Sequence, residues 1–600
     1  MKILFLAAHY AYYRNFETAI GALAERGHHV HLAADERESL GGEALVERLA
    51  ARYPGVTFGF APSLDDEPWF LLARKLRSAS DYVRFHDAGF APFRKTRLTL
   101  RERIPRGVLR LMDSLLGEAS AVRRMLGATL RASEWAMPVS AASRAFIEQH
   151  DPDVVLIASV TAWRLPQIDH LRAARALGRR TGVCVFSWDH LSSKALLRAV
   201  PDRVLLWNQT QKEEAVRWHG IPGDRIAVTG AQCYDQWFDR RPSRDRASFC
   251  RAVGLSPEHP ILLYVCSVMT PNPYESRFVQ QWIEEIRRSA DPRLREAGIL
   301  VRPHPERMEE WEGASLERFG NAVLYGRNPV SPDAQDDYFD SLYHSHAVIG
   351  LVTSAFLEAA IVGRPVHTLL LPEFEMYQEG VQHFRYLLEV EGGLLKVTRS
   401  FQDHLAELAA VVASASGVAS TSGVASTSVV ASTSGVASTS VVASTSVVAS
   451  GFSRKPQRDE QNVRFVGAFV RPAGLDVPAT PAFVQAVEQM ASADPLPAEV
   501  PGAWHRALQP LVHAVARSSE EGWLRVVLRD TPEMINDRAR ARKAAHKQAA
   551  AEDRERRVAD KRQFLAARRR ERQREHWTGA RRKQLARLKG RLKGLMGSPS

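Results

Sequence analysis

Short apolar runs alternate regularly with helical patterns along this chain. MKILFLAAHY indicates a buried first strand, ETAIGALAERG a helix, and HHVHLAAD a second strand that ends at Asp35. Similar strand patterns follow at 151–159, 181–189, 202–208 and 224–230, with helical patterns between them. Because parallel strands are joined by helical crossovers, this alternation predicts a doubly wound α/β domain with ligands at the carboxyl edge of its sheet.

A second series of the same kind begins at PILLYVCS and continues through AGILVRPHP, AVLYG, HAVIGLVTS and RPVHTLLL. Two such series predict two Rossmann-like lobes that face a cleft. We expect an amino-terminal acceptor lobe over 1–240, a connector over 241–258 and a nucleotide-binding lobe over 259–412. A chain of 600 residues is long enough for two separate hydrophobic cores.

Two segments interrupt this pattern. Residues 66–150 are rich in Arg and Leu and have helical periodicity, which predicts a helical insertion that shapes the acceptor side of the first lobe. Residues 413–457 contain five copies of a six-residue unit, GVASTS or VVASTS, whose small side chains favour a disordered insert over a β-helix. Apolar patterns resume at 458–495, where we expect the fold to end, and a helical segment is expected at 496–537.

The positive charge of the chain is concentrated in a basic helical tail at 538–600. Between 538 and 593 there are 22 Lys or Arg and 6 Asp or Glu, so the rest of the chain is close to neutral although its net charge is +13. The tail predicts peripheral contact with an anionic membrane, with nucleic acid as the less favoured partner and a solvated helix as the third alternative. No apolar run is long enough to span a bilayer or to act as a secretory signal, so we expect a cytoplasmic location, peripheral on the inner face of the membrane.

The segment LVTSAFLEAAIVGRPV, at 351–366, predicts a strand, a turn and a helix that carries one carboxylate. Thr353 and Ser354 place two hydroxyls and free N–H groups at the positive end of the helix dipole, which suits a phosphate. Glu358 follows one turn later, where it would accept hydrogen bonds from a ribose diol. In the alternative interpretation Ser354 caps the helix and Glu358 is solvated or pairs with Arg364.

A further candidate phosphate site lies in VRPHPE, at 301–306. Arg302 and His304 end a predicted strand, and two prolines stiffen the loop that holds them at the carboxyl edge of the same sheet. Alternatively, Arg302 pairs with a surface acid and His304 caps a turn.

Taken with VTGAQCYDQWF at 228–238, these two segments resemble the GT-B-fold superfamily. That group includes UDP-N-acetylglucosamine 2-epimerases, CDP-glycerol glycerophosphotransferases and capsular or surface-polysaccharide glycosyltransferases. The resemblance covers residues 1–412 and 458–492. It implies that Thr353 and Ser354 lie beside a donor diphosphate, that Glu358 holds the ribose, and that the cation and imidazole of VRPHPE approach the phosphates.

The resemblance also implies metal-independent chemistry without a cofactor, the nucleotide-sugar being a substrate. We find no DxD motif at a strand end, since DEP at 66–68 and DD at 336–337 have loop-like, polar surroundings. The helix dipole and basic side chains would neutralise the leaving diphosphate instead. No GxGxxG follows the first strand, so a dinucleotide cofactor is unsupported.

Five further residues are candidates for catalysis or substrate binding. His9 follows the first strand, where many GT-B enzymes place a general base, and an ordinary imidazole pKa of about 6.5 suits that role. Asp189, in FSWDHLSSK, is the competing base, and either residue is equally read as a polar group at a strand end. Arg14 would stabilise phosphate charge. Gln382 and His383 fall in a predicted loop after the fifth strand of the second lobe, where related enzymes contact the donor sugar.

These patterns predict a glycosyltransferase that transfers a sugar from a nucleotide donor, with a UDP-sugar favoured, to a glycan or lipid-linked acceptor in surface-polysaccharide or glycoconjugate synthesis. The alternatives are a CDP-polyol phosphotransferase, a UDP-sugar epimerase, or a non-catalytic scaffold that binds nucleotide or is tethered to a membrane. Epimerisation is disfavoured because the carboxylates that such enzymes place around the sugar have no recognisable equivalent here.

Overall fold

The computed structural model describes ten stretches of the chain: residues 1–38, 41–90, 93–115, 120–158, 166–268, 275–326, 328–329, 331–420, 459–497 and 503–521. The hexapeptide repeat beyond 420 and the basic tail at 538–600 lie outside the described residues, so the predictions made for them stay predictions. None of the helices in these ten stretches combines the length and the apolar character that a membrane span requires.

The first lobe is built on a parallel sheet of seven strands in the order β3-β2-β1-β4-β5-β6-β7. The strands are β1 (Lys2–Ala7), β2 (His29–Ala34), β3 (Val56–Phe60), β4 (Val154–Ala158), β5 (Arg180–Cys184), β6 (Arg203–Leu206) and β7 (Ile226–Val228). The helices are α1 (Glu17–Glu25), α2 (Gly42–Arg52), α3 (Phe70–Arg84), α4 (Arg94–Arg103), α5 (Arg106–Leu115), α6 (Ser120–Trp135), α7 (Ala141–His150), α8 (Gln167–Ala176), α9 (His190–Ser193), α10 (Gln209–His219) and α11 (Asp235–Asp239). Apolar side chains cover both faces of the central strands, as a parallel sheet between helix layers requires.

The second lobe repeats this plan with six parallel strands in the order β10-β9-β8-β11-β12-β13. The strands are β8 (Ile261–Val265), β9 (Gly298–Arg302), β10 (Ala322–Leu324), β11 (Ala347–Ile349), β12 (Val366–Leu369) and β13 (Leu395–Thr398). The helices are α12 (Arg246–Val253), α13 (Glu275–Arg287), α14 (Pro292–Arg295), α15 (Pro332–His344), α16 (Ala355–Val362), α17 (Gln382–Glu389) and α18 (Phe401–Ser420). The predicted pair of Rossmann-like lobes is confirmed.

The predicted helical insertion is also present and consists of α3 to α6. Its own core packs Tyr82 and Phe93 against side chains from α4 and α5. A buried guanidinium anchors it to the lobe, because Arg77 donates two hydrogen bonds to Asp169 on α8, at 2.6 and 2.9 Å, and a third to Glu134, at 3.0 Å. The late helix α21 (Ala503–Glu521) packs on α6 and α3.

The chain passes between the lobes twice. It leaves the first lobe through α11 and returns to it after α19 (Glu460–Phe469), which packs on the second lobe, because α20 (Ala479–Ser492) packs against α1. Gly230 has a φ of +84°, and a Cβ at that position would lie 2.7 Å from the Cβ of Ala479. Glycine is therefore required where the returning chain packs on the end of β7.

A buried carboxylate joins the two crossings. Asp235, on α11, accepts hydrogen bonds from Nη2 of Arg471 at 2.8 Å and from the backbone N–H groups of Ala479 and Thr480 at 3.0 and 2.7 Å. It thus pairs with a nearly buried guanidinium and satisfies the first N–H groups of α20.

Replacing Asp235 with Ala is expected to lower the free energy of unfolding by about 3 kcal/mol, because it leaves the Arg471 guanidinium buried without its counter-ion. Denaturant titration of the variant measures this loss. Asp224→Ala removes a carboxylate that is 74% exposed and serves as the control. Equal midpoints for the two variants would contradict a role for Asp235 in joining the lobes.

Candidate functional site

The carboxyl ends of both sheets face one cleft between the lobes. Its cavity has a volume of about 320 Å³. The lining includes Arg14 and Asn15 after β1, 186–188 after β5, Trp207 after β6, 302–306 at the end of β9, 328–329 after β10, and 353–355 with Glu358 after β11. Ligands of doubly wound sheets bind at this edge, so the cleft is the candidate site.

The amino end of α16 opens into this cleft. The hydroxyl of Thr353 accepts a hydrogen bond from the N–H of Ala355 at 3.3 Å, whereas the exposed side chain of Ser354 makes no capping bond at the first turn. The Ser354 hydroxyl and the positive end of the helix dipole are therefore presented to the cavity, which suits an anionic ligand.

Glu358 lies one turn along α16 and lines the same cavity. Its Oε2 accepts a short hydrogen bond from the hydroxyl of Tyr338, on α15. Burial raises the pKa of Glu358, and this effect is opposed by the Tyr338 hydrogen bond and by the positive charges of Arg14 and Arg302. The carboxylate is thus held in one orientation at the wall of the cleft, beside two cations.

Arg302 ends β9 on the same wall, and His304 follows two residues later. The Arg302 guanidinium donates to the hydroxyl of Ser341 at 2.8 Å and lies 5.1 Å from the centre of the Tyr338 ring, so it is fixed in the second lobe. His304 Nδ1 accepts the N–H of Glu306 at 3.2 Å, and burial lowers the pKa of this imidazole. A neutral His304 then carries its proton on Nε2, which leaves one hydrogen-bond donor for a ligand.

Arg14 reaches the cleft from the first lobe. It follows β1, its side chain is exposed, and its charge influences the titration of Glu358 and His304 in the opposite lobe. The structure therefore brings together six of the ten residues singled out in the sequence: Arg14, Arg302, His304, Thr353, Ser354 and Glu358.

His9 lies beside this cavity and does not line it. Its ring centre is 3.9 Å from that of Tyr12, and the charges of Arg14 and Glu306, which do line the cavity, influence its titration. Burial lowers the pKa of His9, and its Nδ1 has no hydrogen-bond partner among the described residues. An imidazole that is neutral at pH 7 can accept a proton, but this unpartnered Nδ1 is itself buried, so a substrate reaches it only after a local rearrangement.

Asp189 is surrounded by positively charged and hydroxyl groups. Lys194 Nζ lies 3.4 Å from Oδ2, and the Ser187 hydroxyl donates to Oδ1 at 2.6 Å. Burial opposes ionisation, but Lys194, His190 and His383 together with Ser187 hold the pKa of Asp189 far below its ordinary value. A carboxylate stabilised in this way is a weak base.

Gln382 and His383 lie apart from the cavity, at the seam where α17 meets the first lobe. They begin a helix, so the predicted loop at these residues is wrong. His383 packs edge-on against Trp188 with ring centres 4.9 Å apart, and burial lowers its pKa to about 4. Gln382 lines a different depression, shared with Tyr386 and α10.

The sequence did not single out Tyr338, whose hydroxyl holds Glu358. In the sequence, Tyr338 appears as one aromatic residue in DDYFD. It is 20 residues away from Glu358, and this separation does not reveal that the two side chains are in contact. The predicted loop at DD is also wrong, because Asp336 and Asp337 lie on α15 and pair with Arg240 and Arg244. Within the described stretches, no group of three or more His, Cys, Asp or Glu side chains is arranged to hold a metal ion.

A second group of potentially reactive side chains is buried and cannot reach a substrate. The Ser143 hydroxyl lies 2.9 Å from Nδ1 of His170, whose Nε2 lies 2.8 Å from Oδ1 of Asp35, as in a hydrolase triad. Ser143 and His170 are fully buried and the Asp35 side chain is 2% exposed. These side chains satisfy one another's hydrogen-bonding groups inside the first lobe, and we assign them a structural role.

Comparison with known proteins gives matches to solved structures alone. No protein-family profile matches the sequence, and no curated protein matches it. A glycosyltransferase from Rickettsia africae is 10% identical with a TM-score of 0.43, over 82% of this chain and 98% of that one. The S. aureus protein MnaA, in a co-structure with UDP, is 11% identical with a TM-score of 0.43, over 82% and 97%. The UDP-GlcNAc 2-epimerase from Neisseria meningitidis, bound to UDP-GlcNAc, is 11% identical with a TM-score of 0.38, over 71% and 94%.

At these identities and TM-scores the comparisons carry no argument about function. The chain's own sheet orders, with two Rossmann-like lobes facing a cleft and α20 returning to the first lobe, are those of the GT-B fold.

The seam between the lobes generates a pH dependence. Glu214, on α10, accepts a short hydrogen bond from Tyr386, and burial raises the pKa of Glu214 from 4.5 to about 8. The folded protein keeps this proton while the unfolded chain releases it, so stability should fall from about pH 4.5 to about pH 8 and then level off.

Glu214→Gln should flatten this decrease of the free energy of unfolding with pH, measured by urea titrations at several pH values. Glu213→Gln, at an exposed neighbouring position, should keep it, and equal slopes in both variants would refute the assignment.

Proposed function

We propose that the protein is a glycosyltransferase that transfers a sugar from a UDP-sugar to an acceptor hydroxyl without a metal ion. The observation that carries the proposal is the placement of the α16 amino end, Glu358 and Arg14 around one interlobe cavity. An anion site and a carboxylate one helical turn apart match the diphosphate and the ribose of a nucleotide.

The donor diphosphate would bind at Ser354 and the first turn of α16, with Glu358 accepting hydrogen bonds from the ribose hydroxyls. Arg14 and Arg302 supply positive charge from the two lobes, and the Nε2–H of His304 supplies a hydrogen bond. These groups would stabilise the negative charge that develops on the leaving diphosphate as the bond to the sugar breaks.

The acceptor would approach from the first lobe, where His9 lies beside the cavity. His9 would take the proton of the acceptor hydroxyl as its oxygen attacks the anomeric carbon, and the bond from that carbon to the diphosphate oxygen breaks. Asp189 is the second candidate base, although its low pKa favours a supporting role in which it neutralises Lys194. Gln382 and His383 could reach a donor sugar only if the seam at Trp188 opens.

The acceptor we propose is a glycan or lipid-linked intermediate of surface-polysaccharide or glycoconjugate synthesis. The strongly basic tail at 538–600 would hold the enzyme at an anionic membrane that carries such acceptors. Salt-sensitive retention of the full-length chain on DNA would instead favour nucleic acid as the partner of the tail.

A nucleotide panel tests the donor. UDP at about 100 times its Kd should raise the free energy of unfolding by about 2.7 kcal/mol, seen as a higher Tm. CDP, GDP and ADP should give smaller shifts. Glu358→Ala should weaken UDP binding by about 10-fold or more, because it removes a charged acceptor for the ribose hydroxyls.

Glu317→Ala is the matched control, since this exposed residue of the same lobe does not line the cavity. Silence of the protein toward all four nucleotides would count against the donor proposal. A shift with CDP alone would favour a CDP-polyol phosphotransferase.

The pH dependence of transfer tests His9. The base must be neutral, and burial lowers its pKa below 6.5, so kcat/KM should fall at a pH below 6.5. His9→Gln should lose at least about 100-fold in kcat while UDP still raises the Tm. An unchanged acid limb in His9→Gln, lost instead in Asp189→Asn, would move the role of base to Asp189.

A further inference from the structure

Part of the cleft wall carries polar and aromatic side chains to which the proposed diphosphate and ribose contacts assign no role. Gln335 lies on α15 and lines the cavity, three residues before Tyr338, whose hydroxyl holds Glu358. Residues three apart lie on the same side of a helix, and both of these side chains line the cavity. Gln335 is therefore close to the carboxylate proposed for the ribose, where the base of a nucleotide remains to be placed.

The amide of Gln335 is held in one orientation. Nη2 of Arg240, which follows α11, donates to Oε1 of Gln335 at 3.3 Å and to Oδ1 of Asp336 at 3.0 Å. A guanidinium can only donate, so the amide oxygen faces Arg240 and the amide NH2 group points away from it. No described residue accepts a hydrogen bond from this NH2 group, and its side chain lines the cavity. A contact that only tied α11 to α15 would explain the amide oxygen but not this remaining donor.

An aromatic side chain lies in the same part of the cavity. Trp237, on α11, belongs to the lining, and its ring centre is 5.6 Å from that of Tyr338 with the two rings at 85°. A planar base can stack on an indole while hydrogen bonds recognise the edge of the base. The cavity thus combines a stacking surface and an oriented donor beside the carboxylate proposed for the ribose.

We infer that Gln335 selects uracil as the base of the donor nucleotide, by donating a hydrogen bond from its amide NH2 group to the O4 carbonyl while the base stacks on Trp237. This assignment rests on the proposed nucleotide donor and names the residue that distinguishes its base. In a pyrimidine, position 2 adjoins the ring nitrogen that carries the ribose, whereas position 4 lies on the far side of the ring. Uracil has a carbonyl acceptor at position 4, but cytosine has an amino donor there, which would face the donor of Gln335. Arg240 is a positioning residue, because it keeps the amide oxygen turned away from the base.

The variant Gln335→Glu tests this assignment in the full-length chain. The exchange nearly preserves shape, replaces the NH2 group with an accepting carboxylate oxygen, and leaves Arg240 a partner. Calorimetric titration should show that the unsubstituted protein binds UDP at least about tenfold more tightly than CDP. The variant should lose or reverse this preference, because a carboxylate accepts from the amino group of cytosine. The added negative charge weakens the binding of both nucleotides, so the ratio of the two Kd values is the measured quantity.

Gln236→Glu is the matched control, since it places the same charge on another glutamine that lines the cavity. It should keep the ratio of the unsubstituted protein. Arg240→Met should lower the preference for UDP, because the amide of Gln335 is then free to turn. Trp237→Leu should weaken UDP and CDP by the same factor, since stacking does not depend on the edge of the base.

A preference for UDP that persists in Gln335→Glu would overturn the role of Gln335, and it would leave the proposed donor site intact if Glu358→Ala still weakens UDP binding. A preference of the unsubstituted protein for CDP would overturn the selection of uracil in the same way. A ratio that changes in Gln236→Glu and not in Gln335→Glu would assign base recognition to Gln236 instead. No binding of either nucleotide would overturn the donor proposal and the role of Gln335 together.

Discussion

The cleft exists because the carboxyl ends of two parallel sheets are held facing each other, and the buried Asp235 carboxylate is central to that arrangement. It binds Arg471 and the first N–H groups of α20 at the point where the chain returns to the first lobe. Parallel strands all point the same way, so the loops that follow the strands of a lobe emerge at one edge of its sheet, and several of them line this cleft. Residues far apart in sequence, such as Arg14 and Glu358, therefore meet around one cavity.

The charges of the side chains that line the cleft determine which kind of ligand it can bind. Arg14 lines the cavity from the first lobe, and Arg302, His304 and Glu358 line it from the second. Arg240 and Glu306 also belong to the lining. Tyr338 holds that carboxylate at one oxygen, which fixes its direction. Cations, a hydroxyl-bearing helix terminus and an oriented carboxylate suit a ligand that carries both phosphate and vicinal hydroxyls, and this combination is what a nucleotide offers.

The sequence predicted the central strands and the two-lobed plan because buried parallel strands are continuous apolar runs. It did not reveal β3 and β13, which are edge strands with partly exposed side chains and so lack that run. The α16 terminus and Glu358 could be found because both belong to one short segment. Tyr338 could not, because its contact depends on how α15 packs against α16, which local periodicity does not record. The contacts of Gln382 and His383 with the first lobe likewise depend on tertiary packing and not on local sequence.

A crystal structure of the protein with UDP is the decisive test of nucleotide binding in the cleft. We expect the diphosphate at the amino end of α16 beside Ser354, with the ribose hydroxyls on Glu358 and Arg14 closing from the first lobe. Density for UDP outside this cleft, or inside it with the ribose turned away from Glu358, would contradict the account.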